Sequence, residues 1–177
     1  MGDATTAQGV LIDSFTRVAE MVPKALHGLS GDDLAHRPGG TGNSIAWLVW
    51  HLARIEDAQV IDMAGGEQEW TEGGWYDRSG LTFGADEHGY GHTSAQVDEV
   101  AAVTGDLLAG YHAAVHAHTV EYLEGLDPEE LGRVVDPNWN PPVTVSVRLV
   151  SVVADELQHL GQASYVRGLL GHDGDLE

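Results

Sequence analysis

Four long stretches of this chain place apolar side chains at intervals of three and four residues, and none shows the strict alternation and regular turn spacing of a sheet. Such spacing gives each helix an apolar stripe that other helices must cover. The first stretch runs from about Thr5 to Leu29, with Leu11, Phe15, Val18, Val22 and Leu26 on one face. The second runs from about Ser44 to Ala64; Asn43 or Ser44 can cap its start, and Gly65-Gly66 stops it. The third is expected as one helix from about Thr93 to Leu123, opened by a capping box between Thr93 and Gln96. The fourth spans about Thr144 to Leu170, where Gly171 can close it in a left-handed cap. The expected fold is all-α, four antiparallel helices in one bundle. A single domain over residues 1–177 is expected because the chain has no compositional break and is long enough for one core.

The connections add detail. GLSGDDL (28–34) and GLDPEEL (125–131) each follow a long helix and precede a Pro-containing loop, which suggests two similar helix hairpins. The connection from Gly65 to His92 is long and rich in Gly, Trp and Tyr. A loop of that length is usually functional, often a lid, and Trp70, Trp75, Tyr76 and Phe83 need burial; the plain alternative is a surface crossover.

Composition removes several chemistries. With no cysteine, the chain has no disulfide, thiolate metal site or cysteine nucleophile, so any thiol chemistry uses an external sulfur. The net charge of −20, with eight basic residues and no basic cluster, argues against nucleic acid and anionic membrane surfaces. The start MGDATTAQGV lacks a basic and apolar leader, and stretches such as SIAWLVW fall short of a membrane span, so a soluble, cytoplasmic protein is expected.

The fourth helix carries an unusual pair. In DELQHLGQASYVRG (155–168), Asp155 and His159 stand four residues apart among Leu149, Val150, Val152, Val153, Leu157, Leu160 and Val166. With 10 His and 28 acidic residues in the chain, roughly 1.6 such spacings arise by chance, so setting rather than spacing distinguishes this one. A carboxylate desolvated there needs a cation, either a metal ion or a histidinium. Residues four apart share a helix face, so both side chains can reach one point in the bundle. The third ligand should come from a facing helix, and His51 is the only His of the second. Two neutral imidazoles and a carboxylate make a zinc shell of the catalytic type, with an open position and net charge +1. Without metal, His51 is a hydrogen-bonded core histidine and Asp155–His159 an ion pair. Rival sets exist at His112/His116, with His118 nearby, and at His88/His92; His112 and His116 lie beside the Leu108/Tyr111/Val115/Tyr122 stripe and are expected on a solvated or partly exposed face.

RPGGTGNSIAWLVWHLARIED (37–57) and TVSVRLVSVVADELQHLGQASYVRG (144–168) resemble the DinB/YfiT-like superfamily, and within it the branch of mycothiol-dependent maleylpyruvate isomerase and mycothiol S-transferases. The resemblance implies a divalent metal held by a His of the second helix and two residues four apart on the last, which are His51, Asp155 and His159 here. Asp155 stands where relatives have His or Glu, and Glu156 is the neighbouring alternative. The implied activity is transfer of a low-molecular-weight thiol, most plausibly mycothiol as co-substrate, to a small electrophile, with Zn²⁺ as the expected metal and detoxification as the expected setting. A metal that lowers the thiol's pKa needs no protein nucleophile. Arg54 and Gln162 are candidate substrate-binding residues near His51 and His159, and Arg167 sits where the family commonly has an Arg. A homodimer is compatible with this reading. The same shell also suits a hydrolase that activates water, or a non-catalytic metal-binding stress protein.

Overall fold

The computed structural model describes residues 6–172. Four long helices form the frame: α1 (Ala7–Leu26), α3 (Ile45–Ala64), α7 (Gly105–Gly125) and α8 (Val145–Leu169). Shorter helices sit between them: α2 (Gly31–Ala35), α4 (Glu69–Glu72), α5 (Trp75–Ser79) and α6 (Ser94–Val100). Strands β1 (Val134–Asp136) and β2 (Val143–Thr144) form a small antiparallel ribbon ahead of α8. The all-α expectation holds, with the ribbon as a local addition.

Each long helix begins at a Thr or Ser whose side chain accepts a hydrogen bond from an otherwise unpaired amide: Thr6 from Gly9, Ser44 from Trp47, Thr104 from Leu107 and Thr144 from Val147. Gly65 (φ +77°) stops α3, and Gly171 (φ +86°) follows α8, as expected. The expected start of the first helix at Thr5 lies outside the described residues. The third segment differs from expectation. It breaks between Val100 and Thr104, because Thr104 caps a new helix and the chain turns there to bury both Val100 and Val103. The Thr93/Gln96 capping box forms, but it opens the short α6.

The look-alike segments do similar work. Ser30 caps α2 directly after α1, and Asp127 caps a short 3-10 helix (Pro128–Gly132) directly after α7.

Helix α3 is the centre of the molecule. Ser44 to Arg54 are buried without interruption, as expected of a helix that is apolar on every side. Helices α7 and α8 pack against it, and the 65–92 segment covers what they leave. That segment is fastened at many points. Asp57 accepts from the backbone N–H groups of Glu69 (3.0 Å) and Trp70 (2.8 Å), which start α4. Tyr76 Oη donates to the Phe83 carbonyl, and Trp70 is completely buried against Trp50 and Tyr111. Among the described residues, no helix is long and apolar enough to cross a membrane.

Candidate metal centre

His51 lies two turns into α3, and its ring stacks on Trp47 with centroids 4.7 Å apart and planes 11° from parallel. On its far side the main chain of the 65–92 segment comes into contact. A Cβ on Gly89 (φ +100°) would lie 2.6 Å from His51 Nδ1 and 3.0 Å from Trp47, so only glycine fits this approach. The approach sets the tautomer. His51 Nδ1 lies 2.5 Å from the His88 carbonyl, which can only accept, so Nδ1 carries the proton and Nε2 keeps its lone pair. Burial is the main reason that the His51 pKa is pushed down to about 4, with His159 adding to the effect; the His88 carbonyl and Asp155 oppose it. The imidazole is therefore neutral at pH 7.

Helix α8 brings Asp155 and His159 to the same place. The ring centroids of His51 and His159 are 4.6 Å apart. Asp155 Oδ2 is 3.9 Å from His51 Nε2 and 4.0 Å from His159 Nδ1. One donor atom from each residue lies within 4.8 Å of the others. His159 Nδ1 is 3.1 Å from the Asp155 backbone carbonyl, which leaves its Nε2 as the ligating nitrogen.

The fit to a metal rests on an orphan: Asp155 Oδ2 is buried with no hydrogen-bond partner among the described residues. Two imidazoles and a carboxylate suit a borderline first-row dication. Bonds of about 2.0–2.2 Å place such donors about 3.3–3.6 Å apart, so a bound ion would draw together donors that lie within 4.8 Å of one another. His51 is 8% exposed at its side chain, His159 18% and Asp155 32%, so the cluster faces solvent through α8.

The neighbours of Asp155 differ from expectation. Val150 and Leu157 are exposed, because α8 turns that face to solvent.

The remaining candidates have other surroundings. Arg54 is 0% exposed; it pairs with Asp57 and donates to the carbonyls of Ala85 and Glu87, to Gln68 and to Tyr111. These bonds fasten the loop to α3. Arg167 is equally buried and donates to the carbonyls of Ala25 and His27 at the end of α1. Gln162 is exposed. His88 and His92 belong to the loop: His88 supplies its carbonyl, and His92 Nδ1 accepts from Trp47 Nε1 while Nε2 faces Glu87 at 3.2 Å.

Of the rival histidines, His112 departs from expectation. His112 is not on a solvated face; it is 2% exposed and lies against Glu56 and Glu156. His116 is partly buried beside it, with parallel rings. Glu156, the neighbouring alternative to Asp155, therefore points away from His51. Burial, together with Glu156, holds the Glu56 carboxyl well above the ordinary range, and burial pushes Glu156 up to about 8. Burial lowers the His112 pKa, against the pull of Glu56.

Residues 10–172 match the family described as Mycothiol-S-transferase. Among solved structures, the crystal structure of a conserved protein from Enterococcus faecalis matches with a TM-score of 0.84 and 31% sequence identity, covering 92% of this chain and 95% of that one. No curated protein sequence matches.

Proposed function

Because this chain belongs to the mycothiol S-transferase family, we propose that it transfers a low-molecular-weight thiol, mycothiol, to a small electrophile, with His51, Asp155 and His159 holding a divalent cation, Zn²⁺. The observation that carries this reading is the convergence of three donor atoms from α3 and α8 within 4.8 Å, around a carboxylate oxygen that has no other partner, in a chain without cysteine. A single metal-binding domain in a cytoplasmic protein completes the proposal.

When bound, Zn²⁺ lowers the pKa of a thiol and favours the thiolate, the nucleophilic form. The chain's own residues prepare the place. The His88 carbonyl holds His51 with Nε2 presented, and Trp47 fixes the ring plane. Gly89 and the loop around it exclude water from the α3 side, which strengthens local electrostatics. Asp155 and His159, partly exposed, leave the α8 side open to small molecules. In the transfer the thiol loses its proton to solvent, a carbon–sulfur bond forms, and the leaving group departs with its electron pair. Positioning the two reactants supplies most of the rate.

The test is conjugation of mycothiol to monobromobimane or a chloronitrobenzene by the metal-loaded protein, by protein stripped with a chelator, and by His159→Ala. Activity that needs both metal and mycothiol supports the proposal. Equal activity in stripped protein would refute it, and metal-dependent ester cleavage without thiol would favour hydrolysis.

A further inference from the structure

A second convergence lies deeper in the bundle. Glu56 comes from α3, His112 from α7 and Glu156 from α8, and all three are at most 2% exposed. His112 Nε2 is 3.6 Å from Glu56 Oε2 and 3.8 Å from Glu156 Oε1, and one donor atom of each residue lies within 4.8 Å of the others. Both oxygens of each carboxylate, and His112 Nε2, are buried without a well-formed hydrogen bond to any described residue; Glu56 and Glu156 lie close enough to share a proton, and the Thr119 hydroxyl stands beside Glu56.

Buried polar groups are almost always paired, so this many orphans at one point mark the place of an absent partner. A proton shared by Glu56 and Glu156, with Thr119 beside Glu56, would satisfy the carboxyl pair but leave His112 Nε2 without a partner. A histidinium at 3.6 and 3.8 Å is too distant to hydrogen-bond either carboxylate. A dication takes a lone pair from each residue at once, and its charge cancels both carboxylates.

We propose that Glu56, His112 and Glu156 form a second, closed divalent-cation site, for a first-row ion of the Zn²⁺, Mn²⁺ or Fe²⁺ class. An imidazole among the donors disfavours Ca²⁺ and Mg²⁺, which prefer oxygen throughout. The two spacings to His112, 3.6 and 3.8 Å, are close to the roughly 3.3–3.6 Å edges that metal bonds of about 2.0–2.2 Å produce. A dication bound by two carboxylates and a neutral imidazole is a neutral unit, which suits a dry core. On α8, Glu156 directly follows Asp155; on α3, Glu56 lies five residues beyond His51, about 7.5 Å of helix rise. The site ties together the two helices that carry the first cluster and adds α7. Its role is to brace them.

Metal counting decides the matter. The full chain is stripped with a chelator, dialysed against Zn²⁺ and analysed for metal per folded chain, with circular dichroism to confirm the fold. The wild type is expected to hold two ions, and both His51→Ala/His159→Ala and Glu56→Gln/Glu156→Gln one each. Zn²⁺ should also raise the melting temperature of His51→Ala/His159→Ala. One ion in the wild type and none in His51→Ala/His159→Ala would overturn the proposal, as would two ions in Glu56→Gln/Glu156→Gln. If the glutamine variant does not fold, the histidine variant still decides, since retention of one ion supports the second site and loss of all metal removes it. Failure of the thiol-transfer reading looks different: one ion that survives His51→Ala/His159→Ala and disappears in Glu56→Gln/Glu156→Gln.

Discussion

Two clusters of carboxylate and imidazole are built from consecutive residues of one helix, yet they occupy opposite environments. Asp155 is 32% exposed and meets His51 and His159 at the edge of the bundle. Glu156 is 0% exposed and meets Glu56 and His112 between three helices. Successive residues of a helix point about 100° apart, so one step along α8 separates an accessible site from a sealed one. Donor chemistry follows position. The accessible cluster has one carboxylate and would leave a bound dication with net positive charge, ready for an anionic ligand. The sealed cluster has two and would leave none.

The largest expected effect concerns what keeps the first cluster covered on its α3 side. Arg54→Ala removes the guanidinium that holds the loop carbonyls and leaves Asp57 buried without its cation, at an expected loss of about 3–5 kcal/mol. Urea denaturation should show it, together with faster proteolysis within 65–92; loss of less than about 1 kcal/mol would mean that the loop is fastened elsewhere.

His159→Ala should lower conjugation on the order of 100-fold while leaving the sealed cluster and the helicity intact. Steady-state rates and circular dichroism measure the two separately, and equal losses in both would erase the distinction between the clusters.

Gly89→Ala is a milder probe of the same side. Its Cβ would collide with His51 at a backbone angle that favours glycine, at about 1–2 kcal/mol. Metal affinity at the first cluster should weaken and that at the second stay unchanged, as read by competition with a chromophoric chelator.

The most gradual effect is in pH, and it has opposite signs for the two clusters in stripped protein. His51, held down near 4, keeps its stabilising contribution above the ordinary histidine pKa of 6.5 and loses it as pH falls toward 4. Glu156, held up near 8, keeps its contribution below 4.5 and loses it as pH rises through 8. Between pH 6.5 and 8 the stripped protein should therefore lose stability, at most about 1.4 kcal/mol per pH unit for each proton released. Chemical denaturation at several pH values checks this, and Glu156→Gln should flatten the slope.

Much of this was legible from local pattern. The stripe Leu11, Phe15, Val18, Val22 and Leu26 is buried as its spacing requires, and Ser44, Gly65 and Gly171 act as the helix signals they resemble. Asp155 and His159 share a face because four residues make about one turn, and His51 is the facing histidine that meets them. The break at 101–104 was hidden because AAVTGD continues the apolar spacing; Thr104 followed by Gly105 was the available signal. Arg54 stood out for its nearness to His51 and Arg167 for its place in the family pattern; local sequence gave no sign that each satisfies main-chain carbonyls in the interior. Glu56 offered one hint, being an acid inside a helix that is apolar on every side.

Sequence alone determined the four long helical stretches, the caps at Ser44 and Thr93 and the pairing of Asp155 with His159, since each depends on residues within a turn or so of one another. Only tertiary structure decided that Glu156 joins Glu56 and His112, that the His88 carbonyl orients His51, and that α8 leaves Val150 and Leu157 in solvent. Those outcomes depend on how far each helix is rotated about its axis when it docks. That rotation is set by the summed packing of many side chains from separate segments, and no short stretch of the chain contains it.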